Sequence, residues 1–204
     1  MPMDLVGIEK SASIRIEPPV EKDARMSPDE FFQFCQANSE WQIERSAEGE
    51  ILIMPPAGFD FGYYEVEIVA QLRNWARRDG RGRAFGPSTG FTLANGAMLA
   101  PDAAWVSNER ASVLTPAQRR KFAPVCPEFV VEMKSPSDSL PRLKRKMKEW
   151  IENGAELAWL ILPDDHTVLV FRPGSAIEVV EGAATIAGEG PVRGFELDLI
   201  DIWS

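Results

Sequence analysis

The 204 residues predict one domain of mixed class, α/β or α+β, in which a mixed β-sheet is flanked by helices. Three observations predict it. Stretches with a helical period alternate with short runs of β-branched and aromatic residues. Glycine- and proline-bearing breaks separate them. No internal repeat or low-complexity tract interrupts the order.

Residues 1–25 include Pro18-Pro19, show no clean periodicity and are expected to form a loose or partner-docking arm ahead of a single domain over 26–204. Ser27-Pro28-Asp29-Glu30 reads as a helix start, with Ser27 as N-cap, Pro28 in the first turn and Glu30 closing a capping box. After this N-terminal helix, Trp41 to Arg45 and Ile51 to Pro56 flank a turn at Ala47-Glu48-Gly49 and predict a β-hairpin. From Tyr63 to Arg78 the pattern is helical, with Ile68, Leu72 and Trp75 on one face and Gly80 and Gly82 as stops. Strands are expected at Gly90 to Leu93 and Met98 to Val106, joined at Asn95-Gly96. Arg110 to Phe122 is polar and reads as a short helix or an inserted loop.

Glu128 to Lys134 is the most strand-like segment, carrying Phe129, Val130 and Val131. A helix follows from Leu140 to Asn153, with Leu143, Met147 and Ile151 as its buried stripe and Gly154 as its stop. Ala158 to Leu162 and Thr167 to Phe171 make a second hairpin, and the tail alternates through Ile177 to Val180 and Phe195 to Leu199.

Composition excludes several function classes. Hydrophobic residues at 45% and charged residues at 26% suit a globular protein, and no apolar run approaches the roughly 20 residues that span a bilayer. The first residues lack the layout of a secretory signal, so the cytoplasm is the expected compartment. Cys35 and Cys126 form neither a disulfide framework nor metal-ligand spacing; Cys35, among phenylalanines, reads as a buried small hydrophobe. The one histidine, His166, falls in a turn, which disfavours histidine-rich zinc sites and Ser-His-Asp triads. A net charge of -9 opposes nucleic-acid binding unless positive charge is concentrated locally or metal ions bridge the repulsion.

Chemistry concentrates in two places, Pro101-Asp102 at a strand and Glu132-Met133-Lys134 on a later one. Side chains alternate faces along a strand, so Glu132 and Lys134 share one face while Val131 and Met133 take the other. Burying that charge is costly unless it is paired or bound to a metal. Phosphodiester hydrolysis uses such a set: a positive centre on the phosphate and an activated water. Magnesium commonly takes one or two carboxylates plus waters, which Asp102 and Glu132 can supply if their strands are neighbours. The Lys134 ammonium can hold the water and offset developing charge. The bland alternative for the three residues is a structural ion pair on a sheet.

The order Pro-Asp, then Glu-x-Lys, then a lysine-bearing helix resembles the PD-(D/E)xK nuclease superfamily. More particularly, the chain resembles the Uma-type family of bacterial restriction endonuclease-like proteins. The resemblance runs from about Pro28 to Pro173 and is carried by Ile43-Glu44-Arg45, Gly49-Glu50-Ile51, Ile53-Met54-Pro55-Pro56 and Ser88-Thr89-Gly90-Phe91. Further carriers are Pro101 to Val106, Cys126 to Asp138, Lys146, Glu152-Asn153-Gly154 and Trp159-Leu160-Ile161. It implies a restriction endonuclease-like core, Mg2+ or Mn2+ as cofactor and DNA as substrate. Asp102 and Glu132 match the metal carboxylates, Lys134 the catalytic lysine and the Met133 carbonyl a further ligand. Glu67, beside Gln71, matches an extra acidic position, with a solvated helix glutamate as the alternative. Lys146 matches a basic site position, and Glu44 reads as structural or supporting. Pro141, Trp150 and the lack of a histidine beside Tyr63-Tyr64 depart from the pattern without touching the core set.

The leading expectation is thus a metal-dependent DNA endonuclease, working as a homodimer because cutting two strands takes two sites. Two other readings stay open: a nuclease-fold module that binds or assembles without cutting, and a hydrolase of small phosphoesters, which the acidity suits better.

Overall fold

The structure, a computed structural model, describes residues 14–16, 26–54 and 56–203. In chain order it contains β1 (Ile14–Ile16), α1 (Pro28–Ala37), β2 (Gln42–Arg45), β3 (Ile51–Met54) and α2 (Phe59–Asp79). Next come β4 (Gly82–Phe85), β5 (Phe91–Thr92), β6 (Met98–Leu99), β7 (Ala103–Ser107) and a short α3 (Asn108–Ser112). The remainder is β8 (Phe129–Met133), α4 (Leu140–Glu152), β9 (Leu157–Leu162), β10 (Thr167–Phe171), β11 (Glu178–Glu181), β12 (Thr185–Ala187) and β13 (Glu196–Asp198). The expected mixed class holds, and the bulk of the expected N-terminal arm lies outside the described residues. Its one described piece is β1, which pairs antiparallel with β3.

Six strands form the main sheet in the order β11-β10-β9-β8-β7-β4. Every neighbouring pair is antiparallel except β8 and β9, which run parallel. Parallel neighbours need a crossover, and α4 provides it. Alternation along β8 decides which side chain meets which helix. Phe129, Val131 and Met133 join Ile68, Leu72 and Trp75 of α2, together with Trp159 and Phe195, in one buried cluster. Val130 faces the opposite way, toward Leu143, Met147 and Trp150 of α4. Each fully buried large side chain contributes about 1.5–3 kcal/mol, so both layers are held mainly by hydrocarbon.

A second sheet has the order β1-β3-β2-β6-β5. Ile43, Ile51, Ile53 and Met98 from it pack against Phe31 of α1. The predicted capping box starts α1: the Ser27 N–H donates to Glu30 Oε2 at 2.7 Å and the Glu30 N–H to Ser27 Oγ at 3.3 Å.

Several boundaries differ from the sequence reading. The expected strand from Met98 to Val106 is two strands in two sheets, β6 in the small one and β7 in the main one. Pro101 explains the break, because a residue without an N–H cannot donate to a ladder. Asp102 therefore sits at the junction of the sheets rather than inside a strand. Helix α2 starts at Phe59 instead of Tyr63, and α4 buries Trp150 while Ile151 is half-buried. The polar stretch to Phe122 holds only the end of α3 and a single 3-10 turn at Gln118–Arg120. His166 is the exposed turn residue expected, in the left-handed conformation at φ 46° and stacked on Trp203. Cys35 is half-buried rather than buried; desolvation still pushes its thiol up to about 11.

Candidate active site

Where β7 and β8 part, a cleft opens. Their ladder ends at Ala103↔Val131. Beyond it the Met133 N–H is taken by a side chain, donating to Asp102 Oδ2 at 2.6 Å. The junction created by Pro101 thus brings Asp102 to the strand that carries Glu132. Asp102 Oδ1 has no hydrogen-bond partner among the described residues. Desolvation pushes this carboxyl well above the usual carboxylate range, the neighbouring Glu132 and Glu65 charges add to the rise, and Lys146 and the Met133 N–H offset part of it.

The cleft holds about 1330 Å³ and lies between the small sheet, the start of α2, the end of β8 and α4. Asp102, Glu132, Met133, Lys134 and Lys146 all line it, so five of the expected site residues are brought together. Lys134 is half-buried, and among the described residues its ammonium makes one polar contact, a long one of 3.4 Å to the Ser135 carbonyl. The Met133 side chain is in the core, leaving only its backbone at the cleft.

Glu132 is only 3% exposed and is held from two sides. Lys146 Nζ lies 2.8 Å from its Oε1 and 2.9 Å from its Oε2, and the Trp150 indole N–H donates to Oε1 at 2.9 Å. Burial nonetheless pushes the Glu132 carboxyl up to about 7, with Glu44 adding to the rise and Lys146 opposing it. Lys146 also donates to Glu44 Oε1 at 2.8 Å and to the Ala100 carbonyl at 3.2 Å. An ammonium has three N–H donors. Those of Lys146 are therefore spent on protein acceptors, which pairs its charge with both Glu44 and Glu132.

Glu44 reaches the cleft because β2 alternates. Ile43 packs under α1, and Arg45 lies over the Phe31 ring and donates to the Met26 and Gly96 carbonyls. Glu44 points the other way and, 3% exposed, also accepts from the Ala100 N–H at 2.8 Å.

Glu67 is not brought to the cleft. One residue of helix turns about 100°, so Glu65 and Glu67 look in widely different directions. Glu65 lines the cleft, and desolvation raises its carboxyl. Glu67 instead neighbours Tyr63, whose phenol is raised first by Asp201 and then by Glu67. Gln71 exchanges hydrogen bonds with the Asp198 backbone at 3.1 and 2.8 Å, also away from the cleft. The signal for Glu65 was its spacing: it stands three and seven residues before the buried Ile68 and Leu72.

These residues fit a hard divalent cation in their donor chemistry. Asp102 offers a spare oxygen on a carboxylate whose ionisation burial opposes, and a cation would relieve that penalty. No three His, Cys, Asp or Glu side chains among the described residues converge as a ready cage. The fit is therefore to an ion that keeps water and substrate oxygens among its ligands, as magnesium does. Positive charge is concentrated along α4, where Arg142, Arg145 and Lys148 join Lys146 on the cleft wall. No helix among the described residues is long and apolar enough to cross a membrane.

Comparison with known proteins supports the fold. A crystal structure of a "putative nuclease belonging to DUF820" from Anabaena variabilis superposes with a TM-score of 0.70 at 20% identity, covering 87% of this chain and 97% of that one. A DrdV–DNA complex aligns at a TM-score of 0.35 and 12% identity, over 55% of this chain and 9% of its own. No curated protein matches. A family model described as "Putative restriction endonuclease" matches residues 28–200. The match takes in the whole six-stranded sheet and the whole cleft, and the chain belongs to that family, Uma2.

Proposed function

We propose that the protein is a metal-dependent phosphodiester hydrolase acting on DNA as an endonuclease. One observation carries the reading: the spare, desolvated Asp102 oxygen lies in the same cleft as Glu132 and the uncommitted Lys134 ammonium. Asp102 and Glu132, with the Met133 carbonyl, would hold Mg2+ or Mn2+. When bound, the cation would supply Lewis-acid polarisation of the phosphate and a more acidic water. Lys134 would orient that water and hold positive charge beside the phosphate oxygens as negative charge builds on them. Glu65, rather than Glu67, lines the cleft and would meet the cation through its waters. The α4 guanidinium and ammonium groups would track the backbone phosphates and counter the chain's overall acidity. Cutting both strands takes two such sites, so the proposed active form is a homodimer, and a monomer in light scattering counts against it.

Nicking of supercoiled plasmid in Mg2+ or Mn2+ tests the reading. Asp102→Ala and Lys134→Ala should each lose at least about a hundredfold in rate, the scale of removing one transition-state donor. Wild-type rates in either variant would refute the assignment. Carboxylates outnumber cations along the cleft wall, which favours a small phosphoester as the second reading. Faster turnover of a nucleotide diester than of plasmid would select it.

A further inference from the structure

Lys146 lies between two carboxylates, 2.8 Å from Glu44 Oε1 and 2.8 Å from Glu132 Oε1. Two acids and one ammonium, each almost wholly enclosed, leave a group with one negative charge in excess. A lone Glu132–Lys146 pair would be neutral and would offer an incoming cation no net charge. The second acid changes this balance. Glu44 is fixed independently by the Ala100 N–H at 2.8 Å and sits on a different sheet from Glu132, so it pulls the ammonium from the opposite side. Asp102 adds a further carboxyl group to the same cleft.

We propose that Glu44 is a positioning residue that shares the Lys146 ammonium with Glu132 and so leaves net negative charge at Glu132 for a divalent cation. This rests on the metal-dependent reading above. Glu44 touches neither the cation nor the substrate and acts only through Lys146. The Trp150 indole N–H donates to Glu132 Oε1 at 2.9 Å, so the carboxylate has an anchor that does not depend on the ammonium. The two partners of the ion pair therefore have opposite effects on cation binding. Loss of Glu44 leaves the pair neutral, whereas loss of Lys146 leaves the Glu132 carboxylate without its counter-charge.

Calorimetric titration of the full chain with Mn2+ at pH 8 tests this, with circular dichroism as the check on folding. Glu44→Gln keeps the size and the acceptor for Ala100 and should weaken Mn2+ binding about tenfold or more, the usual scale for a residue that orients a metal ligand. Lys146→Met should bind at least as tightly as wild type. A residue that merely stabilises the fold would move both in the same direction. If Lys146→Met fails to fold, the double variant Glu44→Gln/Lys146→Met restores the wild-type charge and should bind more tightly than Glu44→Gln; equal or weaker binding overturns the proposal. Asp102→Asn separates the two ideas. If wild type takes up no Mn2+, or Asp102→Asn binds like wild type, the metal reading falls and the Glu44 role with it. If binding depends on Asp102 but Glu44→Gln stays within twofold of wild type, only the Glu44 role falls. A metal-free readout is the Trp150 indole N–H resonance, assigned with Trp150→Phe. It should move in Glu44→Gln, and an unmoved resonance overturns the coupling.

Discussion

The two ends of the cleft use the same residue types in opposite ways. At one end Lys146, Glu44, Glu132 and Trp150 satisfy one another, and every donor of the ammonium is occupied. At the other, Asp102 keeps an unused oxygen, and Lys134 makes only a long contact to a carbonyl. Both lysines follow Glu132 in sequence, one by two positions and one by fourteen. Their difference comes from partners: Lys146 lies between two acids, while Lys134 reaches only the Ser135 carbonyl among the described residues. A buried charge without its partners is expensive, so removing any one member of the closed end is costly. The open end is free to serve an outside ligand.

Stability measurements can break this contrast, beginning with the largest effect. Glu132→Ala removes the acceptor of Lys146 and Trp150 together and should cost about 3–5 kcal/mol in urea denaturation, the scale of breaking a buried ion pair from one side. A cost below about 1 kcal/mol would mean that the closed end is not closed. Trp150→Phe removes one hydrogen bond to a charged group and should cost about 1.5–3 kcal/mol. Lys134→Met should stay within about 0.5 kcal/mol, as a change outside the packed network, while losing the nicking expected from the proposed function. A large stability loss there would place Lys134 with the closed end.

A pH series sharpens the same contrast. Burial raises the Glu132 carboxyl from about 4.5 unfolded to about 7 folded. Below the lower value neither state is ionised, and this group is neutral to stability. Between the two the unfolded chain has released a proton that the folded chain still holds, so stability falls as pH rises. Above about 7 the cost is fully present and constant. The raised Asp102 carboxyl acts in the same direction. The melting temperature of metal-free protein should therefore decline between pH 5 and pH 8, and Glu132→Gln should flatten much of that decline. A wild-type profile that is flat, or rises, over this window would remove the assigned burial cost.

The strand logic of the site was legible in the sequence, because a period of two needs no tertiary information. It put Glu132 and Lys134 on one face of β8 and Met133 on the other, and the structure agrees. Asp102 was legible as a partner through its Pro-Asp pair, but Pro101 was read as part of a strand when it ends one. Glu67 went astray because a two-residue difference on a helix redirects a side chain by more than half a turn. The stripe of Ile68 and Leu72 would have selected Glu65. Two features lay beyond local pattern. Glu44 is buried only because a second sheet packs beside the first, and no period within β2 announces that contact. The strand at Ile14–Ile16 is too short for alternation to distinguish it from coil.

The single parallel pair, β8 with β9, has a consequence for how the molecule assembles. Its crossover helix places Lys146 fourteen positions and Trp150 eighteen positions from Glu132, whereas Glu44 is 102 positions from Lys146. Closing a short loop costs less entropy than closing a long one. The strand–helix–strand unit can thus gather a carboxylate, its counter-ion and an indole from one contiguous stretch of chain. The hairpin bearing Glu44 docks onto that unit from far away in sequence, and its arrival converts a neutral pair into an anionic receptor.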